Sequence, residues 1–169
     1  MQTNAIPPHH LDDNPTGCCP RFHPEDWQGV ILNFSDKPFL RAETRSLMHV
    51  PLNMGSVFTR VLTRLEESGA SMGDQHIVLS RVLSPWKAEH LFATSGAVAS
   101  EEMTRLSGRF LTRVFDGPYS QMRAWHAKMR DAAAAQGCGD ARIWFYYTTC
   151  PKCAKAYKCN PVVGLVQIG

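Results

Sequence analysis

The run of residues 143–159 constrains the fold of this chain more than any other stretch. It reads I-W-F-Y-Y-T-T-C-P-K-C-A-K-A-Y-K-C. Its aromatic and β-branched first half predicts a strand, because bulky side chains of this kind pack well on a pleated surface. A second apolar run follows at residues 162–168. The simplest interpretation is two strands joined by a loop that carries Cys150 and Cys153.

The C-x-x-C spacing of Cys150 and Cys153 lets two sulfurs point at one tetrahedral cation, and soft thiolates suit zinc. The remaining ligands must come from elsewhere, and Cys18 and Cys19 form the only other cysteine pair in the sequence. If the first strands of the two halves of the chain run antiparallel at the centre of a sheet, these two pairs approach each other. We therefore predict a zinc site made of four cysteines, with Pro20 favouring the bend that two adjacent ligands require.

Other interpretations of the cysteines stay open. They can be reduced thiols that only pack in the core, or a redox dithiol with a lowered thiol pKa. His23 can replace Cys18 as the fourth ligand. A site with four protein ligands is structural, whereas three ligands leave a position for a hydrolytic water. Cys138 and Cys159 are predicted to take no part.

Composition and charge limit the class of protein. A chain of 169 residues with 44% hydrophobic and 20% charged residues fits a soluble globular protein. The net charge of +3 comes from scattered basic residues, so nucleic-acid binding is not predicted. The sequence has neither the roughly 18 apolar residues of a membrane helix nor a signal-peptide pattern, which predicts a cytoplasmic protein without membrane contact. Residues 1–17 are predicted to form a flexible arm and residues 18–169 a single domain.

Apolar periodicity and turn signals define the other elements. Strands are predicted at residues 30–34, 39–48, 77–81, 90–94 and 106–115, with a turn at residues 35–38 separating the first two. One helix is predicted around Val61, ending at Gly69, and another around Trp125, ending at Gly137. The order in the second half of the chain repeats that of the first. It predicts an α+β domain with two helices on one face of a mostly antiparallel sheet.

Residues 106–136, with V-F-D-G-P-Y at 114–119 leading into the helix of Trp125, resemble the gyrase-inhibitor-like (GyrI-like) small-molecule-binding domain. The resemblance extends over residues 29–168. It implies a duplicated strand-helix-hairpin plan and a cleft between the halves for lipophilic, often flat or cationic, molecules. Some family members instead hydrolyse strained, electrophilic cyclopropane compounds. Many family pockets carry a glutamate on the strand after the second helix, whereas the run R-I-W-F-Y-Y-T-T here contains no acid.

The two cysteine-bearing segments carry a narrower resemblance. C-C-P-R-F at residues 18–22 and Y-Y-T-T-C-P-K-C-A-K at residues 146–155 resemble one bacterial branch of this family, whose members are labelled "hydrolase". Two functions compete on these grounds. The favoured function is a binding protein for a lipophilic small molecule, because it follows from the fold resemblance, and the alternative is a hydrolase that uses the same cleft on a small electrophile. The sequence does not define the oligomeric state or the ligand.

Large aromatic residues are candidates for lining such a cleft, and ordinary core packing is the alternative for each of them. The candidate ligand-binding residues are Trp86, Phe92, Phe110, Tyr119, Trp125, Trp144 and Tyr146. His49, Glu89 and Tyr146 are the candidate catalytic residues, because a histidine or a carboxylate beside an apolar cleft can activate water. The sequence contains no G-x-S-x-G, phosphate loop or H-E-x-x-H motif that would point to other hydrolytic or nucleotide chemistry.

Overall fold

The computed structural model describes residues 2–169. Its strands are β1 (Ile31–Leu47), β2 (Val50–Pro51), β3 (Val78–Ser84), β4 (Lys87–Ala93), β5 (Met103–Asp116), β6 (Ile143–Tyr147) and β7 (Pro161–Gln167). Its α-helices are α1 (Met54–Glu67), α2 (Met122–Ala134) and α3 (Pro151–Tyr157). The pairs β1–β2, β1–β4, β3–β4, β5–β7 and β6–β7 are all antiparallel. The predicted α+β class with a mostly antiparallel sheet is therefore confirmed.

The chain divides into two compact units. The terminal unit combines Met1–Ser35 with Gly108–Gly169, and the central unit is Asp36–Ser107. The boundaries between the units fall inside the two longest strands, β1 and β5. The single domain over residues 18–169 stays a prediction. None of the helices in the described part of the chain is long and apolar enough to cross a membrane.

Helix α1, strand β1 and the hairpin β3–β4 form the core of the central unit. Val61 and Leu65 of the helix are buried against Leu40 and Phe92 of the strands. The predicted stop at Gly69 is confirmed, since this glycine adopts a φ of +66°, which L side chains disfavour, just beyond the helix end.

Strand β1 corrects one expectation from the sequence. The predicted turn at residues 35–38 does not reverse the chain, and a single strand of 17 residues runs through it. Asp36 takes a φ of 47°, a left-handed conformation that aspartate tolerates better than most residues. Its backbone N–H donates to the Ser107 hydroxyl at 2.8 Å. A polar residue that looked like a turn signal therefore sits within the strand with its backbone satisfied.

Strand β7 pairs with β5 on one side and β6 on the other in the terminal unit. Helix α2 packs its apolar face, with Trp125 and Met129, against these strands. Gly164 of β7 lies against this helix, and a Cβ atom there would be 2.7 Å from the Met129 sulfur. The helix predicted around Trp125 is confirmed.

The connection between β6 and β7 corrects a second expectation. It was predicted as a loop, but it contains the short helix α3, so the predicted count of two helices is wrong. Pro151 occupies the first helical turn, where its fixed φ is already helical and its missing N–H costs nothing. Cys150 caps the helix by accepting a bond from the Cys153 N–H, and Lys158 ends it in the left-handed conformation. The same proline and cysteines that suggested a loop therefore start a helix.

Candidate metal centre and other candidate residues

The structure brings the two predicted cysteine pairs together. The sulfurs of Cys18, Cys19, Cys150 and Cys153 all lie within 4.8 Å of one another. The Cys18 sulfur is 3.8 Å from that of Cys19 and 3.9 Å from that of Cys150. Two chain segments more than 130 positions apart thus meet at one cluster, which we call the four-cysteine cluster.

Helix α3 and the segment before β1 hold this cluster through polar contacts. The Tyr157 hydroxyl donates to the Cys19 carbonyl at 2.7 Å. The Thr16 hydroxyl lies 3.1 Å from the Tyr157 hydroxyl and 3.3 Å from the Cys153 sulfur. Cys153 is fully buried, whereas Cys18 is exposed. The cluster therefore lies at the protein surface, and helix α3 holds its buried side.

The spacing of the sulfurs fits a tetrahedral ion. Zinc–sulfur bonds of about 2.3 Å place the sulfurs of a tetrahedral site about 3.8 Å apart. The contacts of Cys18 with Cys19 and Cys150 already have this length. None of the cysteines in the described chain forms a disulfide. Four sulfur donors around one point fit a closed site, in which the metal keeps no position for water.

Hydrogen bonds and burial set the thiol pKa values of the cluster in opposite directions. A hydrogen bond from Thr16, aided by others from Cys19 and Cys150, lowers the pKa of Cys153 to about 6 against the effect of burial. Burial raises the pKa of Cys19 to about 12. A hydrogen bond with Cys19 lowers the pKa of Cys18, but bonds with Cys153 and Cys150 outweigh it and leave that pKa raised. An incoming cation must therefore displace protons from the cluster, since thiolates are the ligands.

The cysteines outside the cluster take other positions. Cys138 donates to the Ile168 carbonyl at 3.3 Å, and burial raises the pKa of Cys159. Neither belongs to a group of candidate metal ligands in residues 2–169. His23, which the sequence offered as a substitute for Cys18, lies in a different group with His10 and Asp26.

The candidate catalytic residues His49 and Glu89 lie in the central unit. Both carboxylate oxygens of Glu89 accept hydrogen bonds, one from Arg41 Nε at 2.9 Å and one from Arg81 Nε at 2.9 Å. The Glu89 side chain is only 7% exposed. His49 is exposed at the turn between β1 and β2, where its N–H donates to the Pro85 carbonyl. The structure thus gives Glu89 an ion-pairing role, while catalysis by either residue stays a prediction.

Tyr146, the third catalytic candidate, belongs to the terminal unit and is partly buried. Its ring lies 5.6 Å from that of Trp27 and 6.0 Å from that of His9. Burial, with a smaller effect from Cys19, raises the pKa of the Tyr146 phenol, so it is protonated at neutral pH. Residues 2–17, predicted as an arm, make further contacts in this unit, including a bond from the Asn4 N–H to the Asn33 carbonyl. Flexibility of the arm stays a prediction.

The remaining aromatic candidates divide by burial. At most 3% of Phe92, Phe110, Trp125 and Trp144 is exposed, whereas Trp86 and Tyr119 are 53% and 50% exposed. Phe110 and Trp144 pack together in the terminal unit with ring centroids 5.9 Å apart. Trp125 stacks on Phe115 at 5.4 Å. The packing of the buried four is established by the structure, and a ligand-binding role for any of the six stays a prediction.

A second group of candidate metal ligands was not predicted from the sequence. One ligand atom each of His10, His23 and Asp26 lies within 4.8 Å of the others. The short 3-10 helix Pro24–Asp26 holds His23 and Asp26 three positions apart. His10 lies 13 positions before His23, in an irregular segment. No sequence period connects three such positions, so only the folded segment shows that they meet.

Comparison with known proteins gives the family of the chain. No curated protein matches the sequence. A family model described as "Bacterial hydrolase" matches residues 9–168. The matched range includes both cysteine pairs, the three residues of the second group and every strand and helix. The chain therefore belongs to this bacterial hydrolase family.

Proposed function

We propose that the protein is a hydrolase of a small lipophilic molecule. We also propose that a structural zinc ion binds in the four-cysteine cluster and holds the two ends of the chain together. The zinc assignment rests on one observation, the separations of 3.8 and 3.9 Å between the Cys18 sulfur and two partners. Membership of the bacterial hydrolase family supports the reaction class. Zinc is favoured because four cysteine sulfurs are a ligand set that it takes in structural sites.

The nature of the substrate is proposed from the plan of the fold. In each half of the chain a long strand is followed by a helix and an antiparallel pair, with α1 before β3–β4 and α2 before β6–β7. This repeat supports a GyrI-like domain, and that family implies lipophilic ligands. Helix α3 is an addition to the plan, and it carries two of the four cysteines.

Metal analysis tests the zinc site. We expect at least one equivalent of zinc in wild-type protein purified from zinc-supplemented cells without exposure to a chelator. The Cys150→Ser variant is expected to lose this ion, because a neutral hydroxyl replaces a thiolate. The matched control is Cys159→Ser, which changes a nearby cysteine outside the cluster and should retain the ion. Less than roughly a tenth of an equivalent in the wild type would contradict a structural zinc site.

Hydrogen exchange tests which chain segments the proposed zinc ion holds together. In the Cys150→Ser variant, amides of residues 16–19 and of helix α3 are expected to exchange faster, while β4 in the central unit keeps its protection. The reason is that the proposed ion joins two segments of the terminal unit. Equal acceleration throughout the chain would instead mean that the cluster supports global stability.

A ligand screen with product analysis tests the hydrolase. Small lipophilic electrophiles, including cyclopropane compounds, are screened by thermal shift, since a compound that binds only the folded state raises the unfolding temperature. Each hit is then incubated with the protein and followed by mass spectrometry. A product that has gained one water is expected. Recovery of every hit unchanged would favour the alternative, a binding protein for the same class of molecule.

A further inference from the structure

We propose that His10, His23 and Asp26 form a second divalent-metal site, separate from the four-cysteine cluster. Their ligand atoms lie within 4.8 Å of one another. The closest pair is His10 Nε2 and Asp26 Oδ2 at 2.8 Å, and the rings of His10 and His23 lie 4.0 Å apart between centroids. Two imidazoles and a carboxylate thus converge from two parts of the segment that precedes β1.

The spacing is compatible with metal binding after small side-chain shifts. Bonds of about 2.0–2.1 Å from a metal to nitrogen or oxygen place neighbouring ligand atoms about 3.3 Å apart in a tetrahedral site. The contact of 2.8 Å between His10 and Asp26 must then open by a few tenths of an ångström. The side chains of His10, His23 and Asp26 are 38%, 30% and 35% exposed, respectively. They can therefore rearrange, and an ion can enter from solvent.

The surroundings of His23 support a ligand role. Its Nε2 lies 3.2 Å from an Asp13 carboxylate oxygen, and its Nδ1 lies 3.3 Å from a Glu25 carboxylate oxygen. Whichever nitrogen binds the ion, the other N–H therefore has a carboxylate to which it can donate. Metal-binding histidines are commonly oriented in this way by an outer carboxylate. Asp13 is itself positioned, since its carbonyl accepts a bond from the Arg21 N–H at 2.7 Å.

The ligand set defines the class of ion and its chemistry. Imidazole and carboxylate suit zinc, cobalt, nickel or iron(II), and they differ from the all-sulfur set of the four-cysteine cluster. Three protein ligands also leave a coordination position for water, as in catalytic zinc sites. In a hydrolase this group, and not the closed four-cysteine cluster, is where a metal can activate water. That consequence rests on the proposed function, whereas metal binding itself does not.

Cobalt titration distinguishes the two sites. Metal-free, reduced protein is titrated with Co²⁺, and total binding is measured by equilibrium dialysis while the absorption spectrum is recorded. We expect two equivalents, one with intense sulfur-to-cobalt charge transfer and one with only weak ligand-field bands. Asp26→Asn and His10→Gln should each reduce binding to one equivalent and leave the charge-transfer band unchanged. The matched control Asp12→Asn alters an exposed neighbour outside the group and should keep both equivalents.

The outcomes separate this proposal from the zinc proposal. If Asp26→Asn and His10→Gln bind as much cobalt as the wild type, the three side chains form only a hydrogen-bonded network and the second site is refuted. Absence of the charge-transfer band in the wild type would instead refute the four-cysteine site and leave this one standing. Cys150→Ser should keep the weak bands. If that variant does not fold, wild-type protein already holding one equivalent of zinc is titrated, and it should bind one cobalt ion without charge transfer.

Discussion

Replacing Glu89 with glutamine is expected to lower the free energy of unfolding by about 1.5–3 kcal/mol, the usual contribution of hydrogen bonds to a charged group. The Glu89 side chain is 7% exposed and binds two guanidinium groups, those of Arg41 and Arg81, which are 21% and 30% exposed. Glutamine keeps the shape but presents an amide NH₂ group to one of the two cations. The loss falls mainly on the bond with Arg81, because Arg41 keeps Glu43 at 2.7 Å and Glu102 at 3.0 Å.

Denaturant unfolding at neutral pH measures this loss, with Glu102→Gln as the control. Glu102 also binds Arg41, at 3.0 Å, but it is 63% exposed. Exposed pairs contribute only about 0–1 kcal/mol, so the control should remain close to the wild type. A Glu89→Gln protein that is as stable as the wild type, yet no longer converts a substrate found by screening, would contradict the structural role. It would make Glu89 a candidate general base instead.

The elements that were correctly predicted are those whose signals are local. Val61 and Leu65 repeat with the helical period, and Gly69 follows where the helix ends. The same holds for the helix of Trp125, which ends before Gly137. Periodicity of this kind reports which face of an element is buried, and that information is contained in the residues of the element itself.

The errors arose where a local signal has two structural outcomes. Asp36 suits both a turn and a left-handed residue inside a strand, and only its bond to Ser107, 71 positions away, favours the latter. Pro151 suits both a loop and the first turn of a helix. In both cases the deciding partner is distant in sequence or belongs to a cap that apolar periodicity does not reveal.

The candidate sites show the same division. The meeting of Cys19 with Cys150 follows from an argument about strand order, because topology brings distant segments together in a foreseeable way. The pairing of Glu89 with Arg41 depends on the register between β1 and β4, which the sequence does not fix. The approach of His10 to Asp26 depends on an irregular segment without any period. The kind of chemistry at a site could be predicted from sequence motifs. The residues that each candidate contacts could be identified only from the folded structure.

Replacing Trp125 with alanine is expected to cost about 3–5 kcal/mol of unfolding free energy, as for other large aromatic residues removed from a core. Trp125 is 3% exposed, and its ring stacks on that of Phe115 with an interplanar angle of 12°. It shares a buried cluster with Met129 and Phe145. Truncation would leave a cavity between helix α2 and the strands that the rigid neighbours cannot fully close.

Trp86→Ala is the matched control, because it removes the same side chain from a position that is 53% exposed. Its effect on stability should stay within about 0.5 kcal/mol, as for most surface substitutions. Thermal and denaturant unfolding of both variants, together with their affinity for compounds found by screening, separates core packing from ligand binding. If Trp125→Ala unfolds like the wild type but no longer binds those compounds, the assignment of Trp125 to the core is wrong. Trp125 then belongs to the binding site. If Trp86→Ala alone loses affinity, the exposed aromatic is the ligand contact and Trp125 belongs to the core.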